Sequence, residues 1–317
     1  MTRIAVLDDY QGVALSSTDW SRLPADARVE VFRNHLFDQD ALAQRLAPFE
    51  VICAMRERTP FPGSLLRRLP NLKLLLTTGA RNASFDMPAI RELGITVCGT
   101  MGGPRGTTSE LTWALILALA KKVPQEDADV RRGGWQIGLG ESLDGKTLGV
   151  IGLGNLGSHV AAVGKAFNMN VIAWSQNLTE ERAAQFGARL VTKGELLTQS
   201  DYVTIHLVLS DRSRGLIGAN DLALMKPTAY LINTSRGPIV DEVALIDALR
   251  NKRIAGAGLD VFDIEPLPLD HPLRKLENTV ITPHLGYVTA ESYRSFFDQT
   301  VENILGYLEG KPVRLVE

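Results

Sequence analysis

Lys146-Thr147-Leu148-Gly149-Val150-Ile151-Gly152-Leu153-Gly154-Asn155-Leu156-Gly157 is the stretch whose reading decides the fold. Residues 147–151 form a short apolar run of strand character, the next three make a tight turn, and residues 155–167 read as a helix. Gly152, Gly154 and Gly157 stand at GxGxxG spacing between that strand and that helix. Gly152 permits a sharp turn, Gly154 lets a pyrophosphate approach the backbone, and Gly157 lets helix and strand pack closely. The helix N-terminus, at Asn155 and Leu156, offers free N–H groups and a positive dipole end to phosphate. A second apolar strand at residues 170–174 follows at βαβ spacing, which turns a common glycine pattern into a dinucleotide-binding fingerprint.

Outward from this stretch, strands and helices alternate in both directions. Before it, strands are expected at residues 3–7, 28–32, 50–54, 72–77 and 96–98, with helices at 40–46, 64–69 and 88–93. After it, strands are expected at 202–206, 229–233, 256–260 and 280–282, with helices at 179–186, 193–197, 219–224, 242–250 and 290–309. A strand-like tail covers residues 312–315. This alternation predicts an α/β protein with two doubly wound parallel sheets. Gly102-Gly103-Pro104 separates the halves, and Thr107 with Glu110 reads as a capping box opening a helix over 110–121. That helix is apolar on most faces, so it is expected to be buried in a core or against a partner subunit.

Composition narrows the function. The 317 residues suit two domains, and a net charge of −2 gives a nucleic-acid-binding surface no bulk support. The chain runs directly into its first strand without a signal-peptide pattern, and its longest apolar run is too short to span a bilayer. A cytoplasmic protein with no membrane partner is the expectation. Cys53 and Cys98 are read as buried free thiols, and the histidines lack ligand spacing, so no metal is expected.

The chemistry-bearing residues follow strand ends, where open parallel sheets bind ligands. Arg236 follows the strand at 229–233, Glu265 the strand at 256–260, and His284 the strand at 280–282. An Arg can clamp a carboxylate bidentately, a His can exchange a hydroxyl proton, and a Glu can hold the imidazole in one tautomer. Taken singly, each reads as readily as a structural residue; converging on one sheet edge beside the glycine turn, they read as a site.

Four blocks in order carry a resemblance: Gly145 to Gly154, Ile232-Asn233-Thr234-Ser235-Arg236-Gly237, Gly258-Leu259-Asp260-Val261-Phe262 through Glu265-Pro266, and Thr282-Pro283-His284-Leu285-Gly286. Together they resemble the D-isomer-specific 2-hydroxyacid dehydrogenase family. The resemblance implies a Rossmann dinucleotide-binding domain (100–286) inserted in a flavodoxin-like substrate domain (1–99, completed by 287–317). It implies NAD(P)-dependent hydride transfer between a 2-oxo acid and a D-2-hydroxy acid. Arg236, Glu265 and His284 would be catalytic, Asp260 would contact the nicotinamide carboxamide, and Thr234 and Gly286 would line the cofactor. Arg56, Gly79 and Ala80 would hold the substrate, with Arg58 a lesser contact. A homodimer built partly around the helix at 110–121 is also implied.

Two departures qualify the resemblance. Ser175-Gln176-Asn177 stands where NAD-specific members carry a carboxylate for the ribose 2′-hydroxyl, which tilts the reading from NAD towards NADP. Arg81-Asn82 stands in the loop after the strand at 72–77, where many relatives end a glycine-rich loop in Asp-Asn. No regulatory domain follows residue 317, so allosteric serine control is not expected. The alternatives are a nucleotide-sensing corepressor-like module, which the intact Arg, Glu and His argue against, and a phosphite-type dehydrogenase.

Overall fold

The computed structural model describes all residues except Gly102, Arg105 and Glu317. The break read at Gly102-Gly103-Pro104 therefore lies partly outside the described residues. Packing divides the chain into two compact units, Met1–Arg105 with Val288–Glu317, and Gly106–Tyr287. Among the described residues the strands form two wholly parallel sheets.

In the first unit the strands are β1 (Arg3–Val6), β2 (Arg28–Val31), β3 (Val51–Ala54), β4 (Leu74–Thr77) and β5 (Thr96–Cys98), in the order β2-β1-β3-β4-β5. Strands β3 and β4 are buried at every position, as strands covered on both faces must be. Helix Ala290–Leu308 returns to this unit and packs on β4, burying Tyr293, Phe296, Phe297, Val301 and Ile304. The tail read as a strand is a main-chain clasp instead: Gly99 N donates to Arg314 O (2.9 Å) and Val316 N to Val97 O (3.0 Å). Cys53 and Cys98 are free and buried, and burial pushes the Cys98 thiol up to about 11.

In the second unit the strands are β6 (Thr147–Ile151), β7 (Asn170–Trp174), β8 (Arg189–Leu190), β9 (Tyr202–Ile205), β10 (Tyr230–Asn233), β11 (Gly256–Leu259) and β12 (Thr279–Ile281). Their order is β12-β11-β10-β9-β6-β7-β8, so the winding reverses between β6 and β9. A crevice opens at such a switch point beyond the carboxyl ends of the strands.

One expectation about helix Thr107–Lys121 is corrected and one is met. It begins at Thr107 behind a left-handed Gly106 (φ 121°), with no side-chain cap, so the Thr107–Glu110 box does not form. The glycine turns the chain into the helix one residue early and puts Thr107 inside it; a capping box does form elsewhere, at Thr192 with Glu195. Its apolar surface is also largely buried within the chain: Trp113, Leu115, Ile116, Leu119 and Ala120 pack against helix Asn155–Ala166 and strands β10–β12. At about 1.5–3 kcal/mol for each fully buried Leu or Ile, this packing accounts for the helix without a second copy. Helix Val123–Arg131 and the two-residue β8 were not anticipated, because both are short and polar.

Candidate active site

The glycine turn has the geometry its residues demand. Gly152 is left-handed (φ 95°), and a Cβ there would lie 2.7 Å from His206 O. A Cβ on Gly157 would lie 2.0 Å from Gly152 O, so turn and helix touch backbone to backbone. A Cβ on Gly154 would meet nothing within 4 Å, which leaves open space at the helix mouth. The first helical bond is Ser158 N to Gly154 O, so the amides of Asn155, Leu156 and Gly157 precede it and are available to a ligand. These features fit a pyrophosphate. Trp174 O, at the end of β7, accepts from Gly152 N (2.8 Å), bringing Ser175, Gln176 and Asn177 beside the turn. Gln176 and Asn177 are exposed, and no carboxylate stands among the three.

Strand β10 ends in the buried Asn233, whose side chain closes the next turn: Nδ2 donates to Arg236 O (3.0 Å) and Oδ1 accepts from Ser235 N (3.0 Å). Ser235 Oγ donates to Leu207 O, and Thr234 shares a hydroxyl hydrogen bond with Thr112 (2.8 Å). Arg236 is half-buried, with Nη1 donating to Ser235 O (2.8 Å). A Cβ on Gly237 would lie 2.2 Å from the Phe262 carbonyl carbon, so this turn presses directly on the loop after β11.

That loop begins with Asp260, fully buried. Its carboxylate accepts from Thr282 Oγ1 (2.6 Å), Leu285 N (2.6 Å) and Gly286 N (2.9 Å), fixing the segment after β12. Burial pushes the Asp260 carboxyl up, against the pull of these hydrogen bonds. His284 sits in the left-handed region (φ 56°), its N–H bonded to Asp260 O (2.9 Å). Its Nδ1 lies 2.6 Å from Glu265 Oε2, and Glu265 Oε1 accepts from Phe262 N (2.9 Å). With Nδ1–H on the carboxylate, Nε2 of the neutral ring is the acceptor and that of the charged ring a donor. The Tyr287 ring stands edge-on to His284 at 5.5 Å between centroids. Arg236, Glu265 and His284 thus share one edge of one sheet with the glycine turn.

Three contributors escaped the sequence reading. Thr108 Oγ1 donates to Gly286 O (2.9 Å), Thr112 holds Thr234, and Tyr287 flanks His284. A hydroxyl facing a sheet edge from a helix, or one aromatic after a loop, leaves no periodic signal. His206, read only as a strand residue, follows β9 with Nε2 2.9 Å from Thr204 Oγ1; burial lowers its imidazole to about 4.

In the first unit, the loops after β3 and β4 interlock. Arg56 is left-handed (φ 53°); its N donates to Thr78 Oγ1 (3.0 Å) and its Nη1 to Thr78 O (3.3 Å). Gly79 N donates to Thr100 Oγ1 (2.8 Å), and a Cβ on Gly79 would lie 2.1 Å from Arg56 Nη1. Ala80 and Arg81 are exposed. Asn82 is buried and ties the loops together, donating to Arg56 O (2.6 Å) and Thr77 Oγ1 (3.0 Å). Arg58 is buried, with Nη1 on Asp8 O (3.0 Å) and its guanidinium over the Tyr10 ring. Among the described residues no His, Cys, Asp and Glu cluster could hold a metal, and no helix is long and apolar enough to cross a membrane.

Comparison with known proteins bears on the same residues. The D-isomer specific 2-hydroxyacid dehydrogenase, NAD binding domain family matches residues 113–286. A glyoxylate reductase of Aeropyrum pernix is 42% identical over 262 residues, covering 80% of this chain and 78% of the relative. A D-3-phosphoglycerate dehydrogenase of Archaeoglobus fulgidus is 37% identical over 87% of this chain, which spans 53% of that protein. The crystal structure of a phosphoglycerate oxidoreductase from Vibrio cholerae superposes with a TM-score of 0.92 at 36% identity, covering 98% of this chain and 100% of that one. The chain is an oxidoreductase that belongs to the D-isomer-specific 2-hydroxyacid dehydrogenase family.

Proposed function

We propose that the chain interconverts a 2-oxo acid and the matching D-2-hydroxy acid, with His284 and Glu265 as its acid–base pair and Arg236 as its carboxylate clamp. The observation that carries this reading is the 2.6 Å contact between His284 Nδ1 and Glu265 Oε2, on the sheet edge that also holds the Gly152 turn. Gly152, Gly154, Asn155, Leu156 and Gly157 hold the pyrophosphate, Ser175, Gln176 and Asn177 the adenosine ribose, and Thr234, Asp260 and Gly286 the nicotinamide end. When bound, the dihydronicotinamide supplies the hydride to C2. Arg236 clamps the substrate carboxylate and draws charge towards the neighbouring carbonyl. His284 gives the carbonyl oxygen its proton from Nε2, while Glu265 steadies the imidazolium before transfer and the tautomer after it. In this reading the unit Gly106–Tyr287 is the nucleotide domain, and Arg56 and the amides of Gly79 and Ala80 are substrate contacts.

The names of the relatives, glyoxylate reductase and D-3-phosphoglycerate dehydrogenase, favour glyoxylate or a phosphorylated 2-oxo acid as the substrate. Ser175 in place of a carboxylate favours tolerance of NADPH, since nothing there repels a 2′-phosphate. Assays with a panel of 2-oxo acids and both reduced cofactors, followed at the nicotinamide absorbance, test both points. Turnover of at least one 2-oxo acid is expected, with NADPH used at a rate comparable to NADH. Absence of turnover across the panel overturns the activity, and a large preference for NADH overturns the cofactor tilt. We further propose a cytoplasmic homodimer, its contact on the apolar strip Trp135, Ile137 and Leu139, which is exposed in the single chain (77%, 57% and 89%). Glu126 pins that strip, accepting from Ile137 N (3.3 Å) and Gly138 N (3.0 Å).

A further inference from the structure

Two carboxylate–imidazole pairs hold the loop after β11, each with one member in it: Glu265 and His271. In the first, Glu265 Oε2 meets His284 Nδ1 and Oε1 accepts from Phe262 N (2.9 Å). In the second, Glu242 Oε1 meets His271 Nε2 (3.0 Å) and Oε2 accepts from Asp263 N (3.3 Å). The consecutive amides of Phe262 and Asp263 are therefore each held by the glutamate of a Glu–His pair, one within the site and one outside it. The second pair is well shielded, with side-chain exposures of 14% for His271 and 18% for Glu242. Its tautomer is set by its surroundings. Leu273 N donates to His271 Nδ1 (3.3 Å), so the neutral ring carries its proton on Nε2, pointing at Glu242.

The supports around this second pair are firm. Glu242 opens helix Glu242–Arg250, which is capped by Asp241 accepting from Ala244 N (3.0 Å). The Phe262 side chain is sunk in the core of the sheet, and Gly237 blocks the turn from behind. Arg274 holds the far limb of the same loop, donating to Pro268 O (2.8 Å) and Leu267 O (2.6 Å). What is left to fix is the height of the Phe262–Asp263 turn above the sheet edge, and the Glu242 carboxylate is the group that fixes it. Moving that turn moves the Phe262 amide, and with it the Glu265 carboxylate that the amide orients.

We infer that Glu242 and His271 are positioning residues for the reaction: they lock the Phe262–Asp263 turn so that Glu265 meets His284 Nδ1. The inference rests on the reading of Glu265 and His284 as the acid–base pair, and touches neither substrate nor cofactor directly. Its chemistry is mechanical. Losing either partner lets the turn relax and lengthens the Glu265–His284 contact. A misplacement of this kind costs on the order of 10–100-fold in turnover.

The test compares Glu242→Ala, Glu242→Gln, His271→Ala and His271→Gln with Glu265→Gln, using glyoxylate and hydroxypyruvate as probes. The first readout is the pH profile of kcat. The second is the position of the His284 ring-nitrogen resonances by NMR, which report the hydrogen bond to Glu265 and are assigned by their loss in His284→Gln. In Glu242→Ala and His271→Ala, kcat should fall on the order of tenfold or more with the KM for reduced cofactor unchanged. The His284 ring-nitrogen resonances should move towards their positions in Glu265→Gln. His271→Gln keeps a donor for Glu242 and should restore both. If Glu242→Ala does not fold, Glu242→Gln, which keeps the side-chain length but loses one acceptor, should show an intermediate shift. Unmoved His284 resonances in the variants, or no rescue by His271→Gln, overturn the inference. Normal turnover in His284→Gln overturns the acid–base reading alone, because the NMR resonances test the positioning without any substrate.

Discussion

His284 concentrates the demands of the site on one residue. Its backbone is left-handed at φ 56°, its N–H reaches Asp260 O, and its Nδ1 reaches Glu265. A left-handed non-glycine residue costs on the order of 1 kcal/mol or more, and it persists because the surroundings over-determine it. Replacing His284 by Gln should lower kcat about 10²–10⁴-fold while leaving the dissociation constant of the reduced cofactor, read by its fluorescence, close to the parent value. His206 makes a different demand. Burial holds its imidazole at about 4 rather than 6.5, so the folded chain refuses a proton that the unfolded chain binds between those values. That part of the stability is complete above pH 6.5 and is lost as pH falls through the window, by up to ~3 kcal/mol. Urea melts from pH 7 to pH 4 should show the loss in the parent and a flatter dependence in His206→Asn.

At the scale of elements, the glycines of the β6 turn separate folding from binding. Gly154 has open space where a Cβ would be, whereas a Cβ on Gly157 would strike the Gly152 carbonyl at 2.0 Å. Gly154→Val should therefore keep its melting temperature and weaken cofactor binding at least tenfold, because the side chain fills the space a pyrophosphate needs. Gly157→Ala should lower the melting temperature even without cofactor, by several degrees for roughly 1–3 kcal/mol of overpacking. Differential scanning fluorimetry with and without NADPH distinguishes the two. The elements themselves were largely legible: buried parallel strands write themselves as apolar runs, and β5, β6 and β7 begin and end where those runs do. What escaped was held by single contacts. The start of helix Thr107–Lys121 depends on the φ of Gly106, β8 on a two-residue pairing, and the tail clasp on Arg314 O meeting Gly99 N. In the site, the loop positions of Arg236, Glu265 and His284 were readable from strand ends. Thr108 and Thr112 were not, since only the packing of their helix brings them to that edge.

For the whole molecule, the proposed dimer contact on the strip that Glu126 pins is open to direct test. Trp135→Glu with Leu139→Glu should convert the proposed dimer to a monomer by sedimentation velocity, at unchanged melting temperature of the isolated chain, since both side chains are exposed in it. A dimer that survives both charges would place the contact elsewhere. The winding of the chain has one more effect. The five strands of the first unit come before the inserted unit, but the helix that covers β4 and the clasp on β5 come after it. Helix Ala290–Leu308 is translated after the inserted unit, so the face of β4 that it covers stays open while residues 106–287 are made. Limited proteolysis of nascent chains stalled just past residue 287 should therefore cut within β1–β5 and spare the inserted unit.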